Sequence, residues 1–148
     1  MIIRRLGKGD DLAGAIDLLL RFFSEEGFDT PAGVITAHTH ELAGIAKCGL
    51  FVAEEEAETL AVATVSLEFG IEYGWWAEMG DLYVLPEHRG KGLSLVMVEA
   101  IEVFLKEQGA SGYQVTISPY GAEHHDLAKF YKRLGFSDEG RLLLAKRF

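Results

Sequence analysis

The sequence predicts an α/β protein: one domain over residues 1–148, with a central, mostly antiparallel sheet flanked by about four helices. Three observations carry this. Leu93, Val96, Met97, Ala100, Ile101, Phe104 and Leu105 recur at spacings of three and four, which lines one face of a helix with apolar side chains. Two β-rich runs, 50–53 and 59–69, flank the acidic stretch 54–58 and read as an antiparallel hairpin. A further strand-like run, 75–85, stops at Pro86 just before the helix.

The remaining elements follow in order. Residues 2–6 are a short apolar strand. Asp10 is then placed as N-cap of a helix carrying Leu12, Ala15, Ile16, Leu19, Leu20 and Phe23. A polar loop with Gly27 and Pro31 leads to a second helix holding Val34, Ile35, Leu42 and Ile45, with Gly49 as its stop and Cys48 as a small buried residue near its end. After Gln108-Gly109, residues 113–118 alternate as a strand ended by Pro119. A last helix holds Leu127, Phe130, Tyr131 and Leu134, is closed by Gly135, and precedes a final strand at 142–145.

A length of 148 residues suits one hydrophobic core, and 49% hydrophobic with 25% charged residues is an ordinary globular balance. No apolar run reaches the roughly 18 residues that span a bilayer, and the N-terminus does not read as a secretory signal, so a cytoplasmic location is expected. One cysteine rules out an internal disulfide. Against 14 basic residues stand 23 acidic ones, a formal charge of -9, which opposes nucleic acid and anionic membranes and favours a cationic partner.

The segment 84–94 joins a strand end, a glycine turn and the surest helix. A helix start offers unpaired N–H groups and partial positive charge, glycines let an anion approach the backbone, and Arg89 and Lys91 add charge, so a phosphate is the expected ligand. It is not a P-loop, since Lys91 is followed by Gly92 rather than Ser or Thr, and the dinucleotide pattern fails because Leu95 stands where its third glycine belongs. His38 and His40 point to different helix faces and His124-His125-Asp126 are adjacent, so no metal site is expected.

Arg89-Gly90-Lys91-Gly92-Leu93-Ser94, preceded by Leu82-Tyr83-Val84, resembles the R/Q-x-x-G-x-G/A signature of the GCN5-related N-acetyltransferase (GNAT) superfamily. Residues 127–136, with Phe130-Tyr131 and Gly135-Phe136, are similar to its second block. Ser94 departs from the preferred Gly or Ala, and His124 stands where the family often has Asn. The resemblance covers nearly the whole chain. It implies a sheet splayed between strands 4 and 5, with pantetheine of acetyl-CoA in the gap. Backbone groups of Leu82, Tyr83 and Val84, and the loop of Arg89, Gly90, Lys91, Gly92, Leu93 and Ser94, would hold the donor.

The implied chemistry is acetyl transfer to a primary amine, polyamine-like or aminoglycoside-like, or to a protein amine. An alkylammonium with pKa near 10.4 must lose a proton, which a carboxylate can take. Glu78 is the first candidate and Asp81 the second. On an ideal strand they have opposite parity, so only one should face the acceptor unless a bulge intervenes. Tyr131 matches the family tyrosine proposed to protonate the leaving thiolate. Phe28, Glu26, Trp75 and Trp76 are the expected acceptor contacts, since aromatics with acids hold cations. A homodimer is a further implication, and a non-catalytic acyl-CoA sensor of the same fold is the alternative.

Overall fold

Five strands form one sheet in the order β1-β2-β3-β4-β5: β1 Ile2–Leu6, β2 Cys48–Glu55, β3 Glu58–Gly70, β4 Gly74–Val84 and β5 Tyr113–Val115. The first four pair antiparallel, and β5 lies parallel to β4. The protein is described by a computed structural model covering residues 1–148. It consists of two compact units, Met1–Thr116 and Ile117–Phe148.

In the first unit, α1 (Ala13–Glu26) packs on β3 and β4, α2 (Ala32–Ala43) on β2, and α3 (Leu93–Glu107) on β1 to β4. Side chains alternate along each strand, so two faces result. Phe51 meets Phe104 of α3 with ring centroids 5.6 Å apart. Its register partner Ala63 and the buried Val65 and Met79 share that face. Tyr83 meets Phe22 of α1 at 5.6 Å, placing Leu50, Thr64 and Asp81 on the α1 and α2 side. Met97 and Ile101 are fully buried, and each such side chain contributes about 1.5–3 kcal/mol.

The helix ends show why the chain turns where it does. Gly27 takes a left-handed φ of 76°, Phe28 N–H donates to Phe23 carbonyl at 3.0 Å and Gly27 N–H to Ser24 at 3.1 Å. This pair of bonds closes α1, and Phe28 packs on Phe23 with centroids 5.3 Å apart.

Several expectations are corrected. Asp10 does not cap α1: its carboxylate accepts from Gly7 N–H at 2.7 Å and closes the preceding turn, while Asp11 accepts from Ala13 N–H. The second helix stops at Gly44 rather than Gly49, so Ile45 is exposed and Cys48 begins β2. β5 spans only three residues instead of 113–118, because Ser118 caps an unforeseen helix α4 (Pro119–His125), accepting from Gly121 N–H at 3.0 Å. The second unit holds α4 and α5 (Leu127–Arg133), five α-helices in all instead of about four. No strand forms at 142–145, where Leu142, Leu143 and Leu144 are 83%, 71% and 82% exposed.

Candidate active site

β4 carries the site because its two edges part company midway. β5 pairs only with Ala77, Glu78 and Met79, while β4 runs on to Val84. Leu85 N–H donates to Leu60 carbonyl at 2.9 Å, so alternation turns the backbone groups of Leu82 and Val84 away from β3, toward the edge β5 has left. The sheet is thus splayed between strands 4 and 5.

Beyond β4, Pro86–His88 make one 3₁₀ turn, and Gly90 and Gly92 adopt left-handed φ of 75° and 80° before α3 starts. No atom lies within 4 Å of a Cβ built on either glycine, so conformation rather than crowding demands glycine here. α3 begins without a side-chain cap and without an acid in its first turn, leaving its first N–H groups available to an anion. Lys91 is exposed, Leu93 buried and Ser94 half-buried.

Arg89 is held in place by the protein itself. Its Nε donates to Val84 carbonyl at 2.9 Å, its other nitrogens reach both Glu25 oxygens at 3.2 and 3.3 Å, and its guanidinium lies 5.2 Å from the Tyr83 ring centroid. It fastens the loop to α1. Desolvation, then the Glu25 charge, pushes the buried Tyr83 phenol above its ordinary value.

Thr64 pairs with Asp81 on the sheet face under α1 and α2, and Val65 with Met79 on the opposite face, leaving Gly80 as the extra residue of a bulge. Ser66 pairs with Glu78. A bulge does intervene, so Glu78 and Asp81 share one face where an ideal strand would set them on opposite ones. Glu78 is exposed and accepts from Thr116 hydroxyl at 3.0 Å. Asp81 is half-buried and accepts from Thr64 hydroxyl at 2.5 Å. Desolvation raises the Asp81 pKa above the carboxylate norm, the Thr64 hydrogen bond opposes this, and the nearby Glu78 charge adds to it.

Asp81 lies on the wall of a cavity of about 110 Å³ between α1, α2 and the sheet. Leu19, Phe23, Ile35, Leu42 and Leu50 make its apolar lining, with His38, Thr39 and Thr64 among its polar groups. The sequence pointed to none of Thr64, Thr39 and His38 as pocket residues; a lone buried threonine beside an acid is visible only after the register is known.

The expected acceptor residues are dispersed. Phe28 braces Phe23, Glu26 is half-buried in the last turn of α1, and Trp76 donates to Gln114 at 2.8 Å while stacking on Tyr73 at 4.5 Å. Trp75 faces the opposite side, under Lys47 at 4.3 Å. Tyr131 is buried in α5 against Phe130 and Phe136, and burial pushes its phenol up to about 12. Where metals are concerned, Glu58, Glu87 and His88 bring ligand atoms within 4.8 Å of one another, though both acids are exposed.

Comparison with known proteins adds to this geometry. The family described as acetyltransferase (GNAT) domain matches residues 46–138, more than half the chain. The uncharacterized N-acetyltransferase MJ1207 of Methanocaldococcus jannaschii is 27% identical over 105 residues, covering 67% of this chain and 45% of that protein. The chain thus spans less than half the length of that relative. A possible acetyltransferase from Clostridium difficile 630 matches with a TM-score of 0.84 at 18% identity, over 99% of this chain and 97% of that one. The aminoglycoside N-acetyltransferase AAC(6')-Iy, solved in complex with CoA, matches with a TM-score of 0.83 at 17% identity, over 99% and 93%. An integron cassette protein from the Cole Harbour Salt Marsh metagenome matches at 0.82 and 24% identity, over 98% and 89%. These three share the fold.

Proposed function

Because the chain belongs to the GNAT acetyltransferase family, we propose that it is an acetyl-CoA-dependent N-acetyltransferase acting on a primary amine of a small cationic molecule. The observation that carries this is the continuity of three features. The stretch of β4 beyond Met79 that β5 leaves, the left-handed glycines and the uncapped start of α3 follow one another along the chain, and Asp81 lies on that stretch of β4. In the CoA-bound relative AAC(6')-Iy the same fold holds CoA.

Pantetheine amides pair with Leu82 and Val84, and the pyrophosphate sits on the N–H groups following Gly90 and Gly92, with Lys91 beside it. Arg89 keeps the loop shaped for this through Glu25 and Val84. The attacking amine must be neutral, and deprotonating an alkylammonium at pH 7 costs about 4–5 kcal/mol. Asp81 takes that proton, desolvation first and the nearby Glu78 charge after it holding its pKa above the carboxylate norm. The amine nitrogen bonds to the acetyl carbon as the carbon–sulfur bond breaks, and the thiolate takes its proton from Tyr131, whose phenol is fully protonated at neutral pH. No metal has a part in this.

Residues 1–148 act as a single GNAT-like domain in this reading, and no helix is long and apolar enough to cross a membrane. A homodimer belongs to the same reading, supported by the bare Leu142, Leu143 and Leu144, and light scattering across a concentration series tests it. The function is tested by thermal unfolding with acetyl-CoA followed by an amine panel. Acetyl-CoA at about 100 times its Kd should stabilise by about 2.7 kcal/mol. Stabilisation without transfer to any amine would identify a sensor; no stabilisation would reject both.

A further inference from the structure

The glycine turn before α3 has little backbone bonding of its own. Arg89 N–H donates to Pro86 carbonyl at 3.3 Å, and the next bond along the chain runs from Val96 N–H to Gly92 carbonyl at 3.2 Å. From Gly90 to Leu95 no backbone N–H has an acceptor in the protein. Such a run of free N–H groups suits a diphosphate, but the left-handed Gly90 and Gly92 leave its conformation soft. Its shape has to be imposed by neighbouring groups.

The Arg89–Glu25 pair imposes it. Every guanidinium nitrogen is engaged: Nε on Val84 carbonyl at 2.9 Å, and the other two on the two Glu25 oxygens at 3.3 and 3.2 Å. The two side chains are only 34% and 24% exposed, so water screens the pair in part. Glu25 stands in the last turn of α1, two residues before Gly27, and its charge also bears on the phenol of Tyr83, over whose ring Arg89 lies. One carboxylate thus ties the end of α1 to the strand that enters the turn and to the turn itself. Lys91, exposed, carries the turn's other positive charge.

Resting on the donor-binding reading above, we propose that Glu25 is a positioning residue for the acyl donor: it acts through Arg89, which braces the glycine turn and is not itself a ligand of the pyrophosphate. The sign of one effect separates these roles. If Arg89 held the phosphates, removing the Glu25 charge would free its guanidinium and tighten the anion. As a brace, Arg89 loses its anchor with Glu25, the N–H groups lose their arrangement, and binding weakens.

The experiment titrates acetyl-CoA calorimetrically into the full chain and into its Glu25→Gln, Arg89→Gln and double variants, with steady-state kinetics alongside. Each single change should raise the Kd about tenfold, and the double change should raise it no further, since all three remove one brace. The KM for acetyl-CoA should rise in step while kcat at saturating donor stays within about twofold. Glu25→Asp, which keeps the charge but draws the carboxylate back by one methylene, should weaken binding too. Arg89→Lys should weaken it as well, because an ammonium cannot span Val84 and both Glu25 oxygens. Melting curves without ligand certify each fold, and Glu25→Asp carries the test if Glu25→Gln does not fold. Tighter or unchanged binding in the Glu25 variants, losses that add in the double variant, or a loss confined to kcat overturns the inference and leaves the acetyltransferase reading standing. No acetyl-CoA binding by the unaltered protein overturns that reading and this inference with it.

Discussion

Glu78 and Asp81 stand on the same face of β4 because Gly80 is an extra residue in the strand. Ser66 pairs with Glu78 and Thr64 with Asp81, and Ser66 and Thr64 are two apart on β3. A Cβ on Gly80 would come within 3.2 Å of Thr64 Oγ1, the group that donates to Asp81. The bulge thus produces a coupled acid pair in which only Asp81 is desolvated.

Asp81→Asn should stabilise the fold at neutral pH. Desolvation raises the folded pKa of Asp81 above its unfolded value, so its favourable contribution is complete below about pH 3.9 and is lost as pH rises through the folded pKa. Asparagine can still accept from Thr64. Urea unfolding at pH 7 should show a gain for the variant that vanishes near pH 3.5.

Glu78→Gln removes a charge that raises the Asp81 pKa. The acid limb of kcat/KM should move to lower pH, because Asp81 then loses its proton more readily, and turnover at pH 7 should change by less than about tenfold. An unmoved limb would uncouple the two acids.

Gly92→Ala places a side chain at φ 80° without any clash. The left-handed conformation costs an L-residue roughly 1–2 kcal/mol, or about 2–8 °C in Tm for a chain of this size. The KM for acetyl-CoA should rise while that for the amine stays.

Tyr131→Phe should lower kcat by about 100-fold as the proton donor disappears. Because burial pushes the phenol up to about 12, any alkaline limb below pH 10 belongs to another group and should be the same in both proteins. The ionisation of Tyr131 leaves stability intact below about pH 10 and weakens it as pH rises through about 12.

Periodicity made the long elements legible. The stripe from Leu93 to Leu105 became α3, and the two β-rich runs became β2 and β3 with their acidic turn. Gly90 and Gly92 were legible as a turn before α3, and both adopt the left-handed backbone that excludes most other residues. What failed was decided by partners distant in sequence. Asp10 looked like a cap but was drawn back to Gly7, and 142–145, an apolar run that read as a strand, forms none. The acid pair was hidden because parity counts residues, and Gly80 adds one that only the register with Val65 and Thr64 reveals. Trp75 and Trp76, adjacent in sequence, fall on opposite faces for the ordinary reason that strands alternate.

Acetyl transfer by Asp81→Asn, measured beside its own thermal shift with acetyl-CoA, tests the central claim most directly. If Asp81 receives the amine proton, kcat/KM for the amine falls by about 10²- to 10⁴-fold while the acetyl-CoA shift equals that of the unaltered protein. Turnover within a factor of about three of the unaltered protein, with the shift retained, would contradict it.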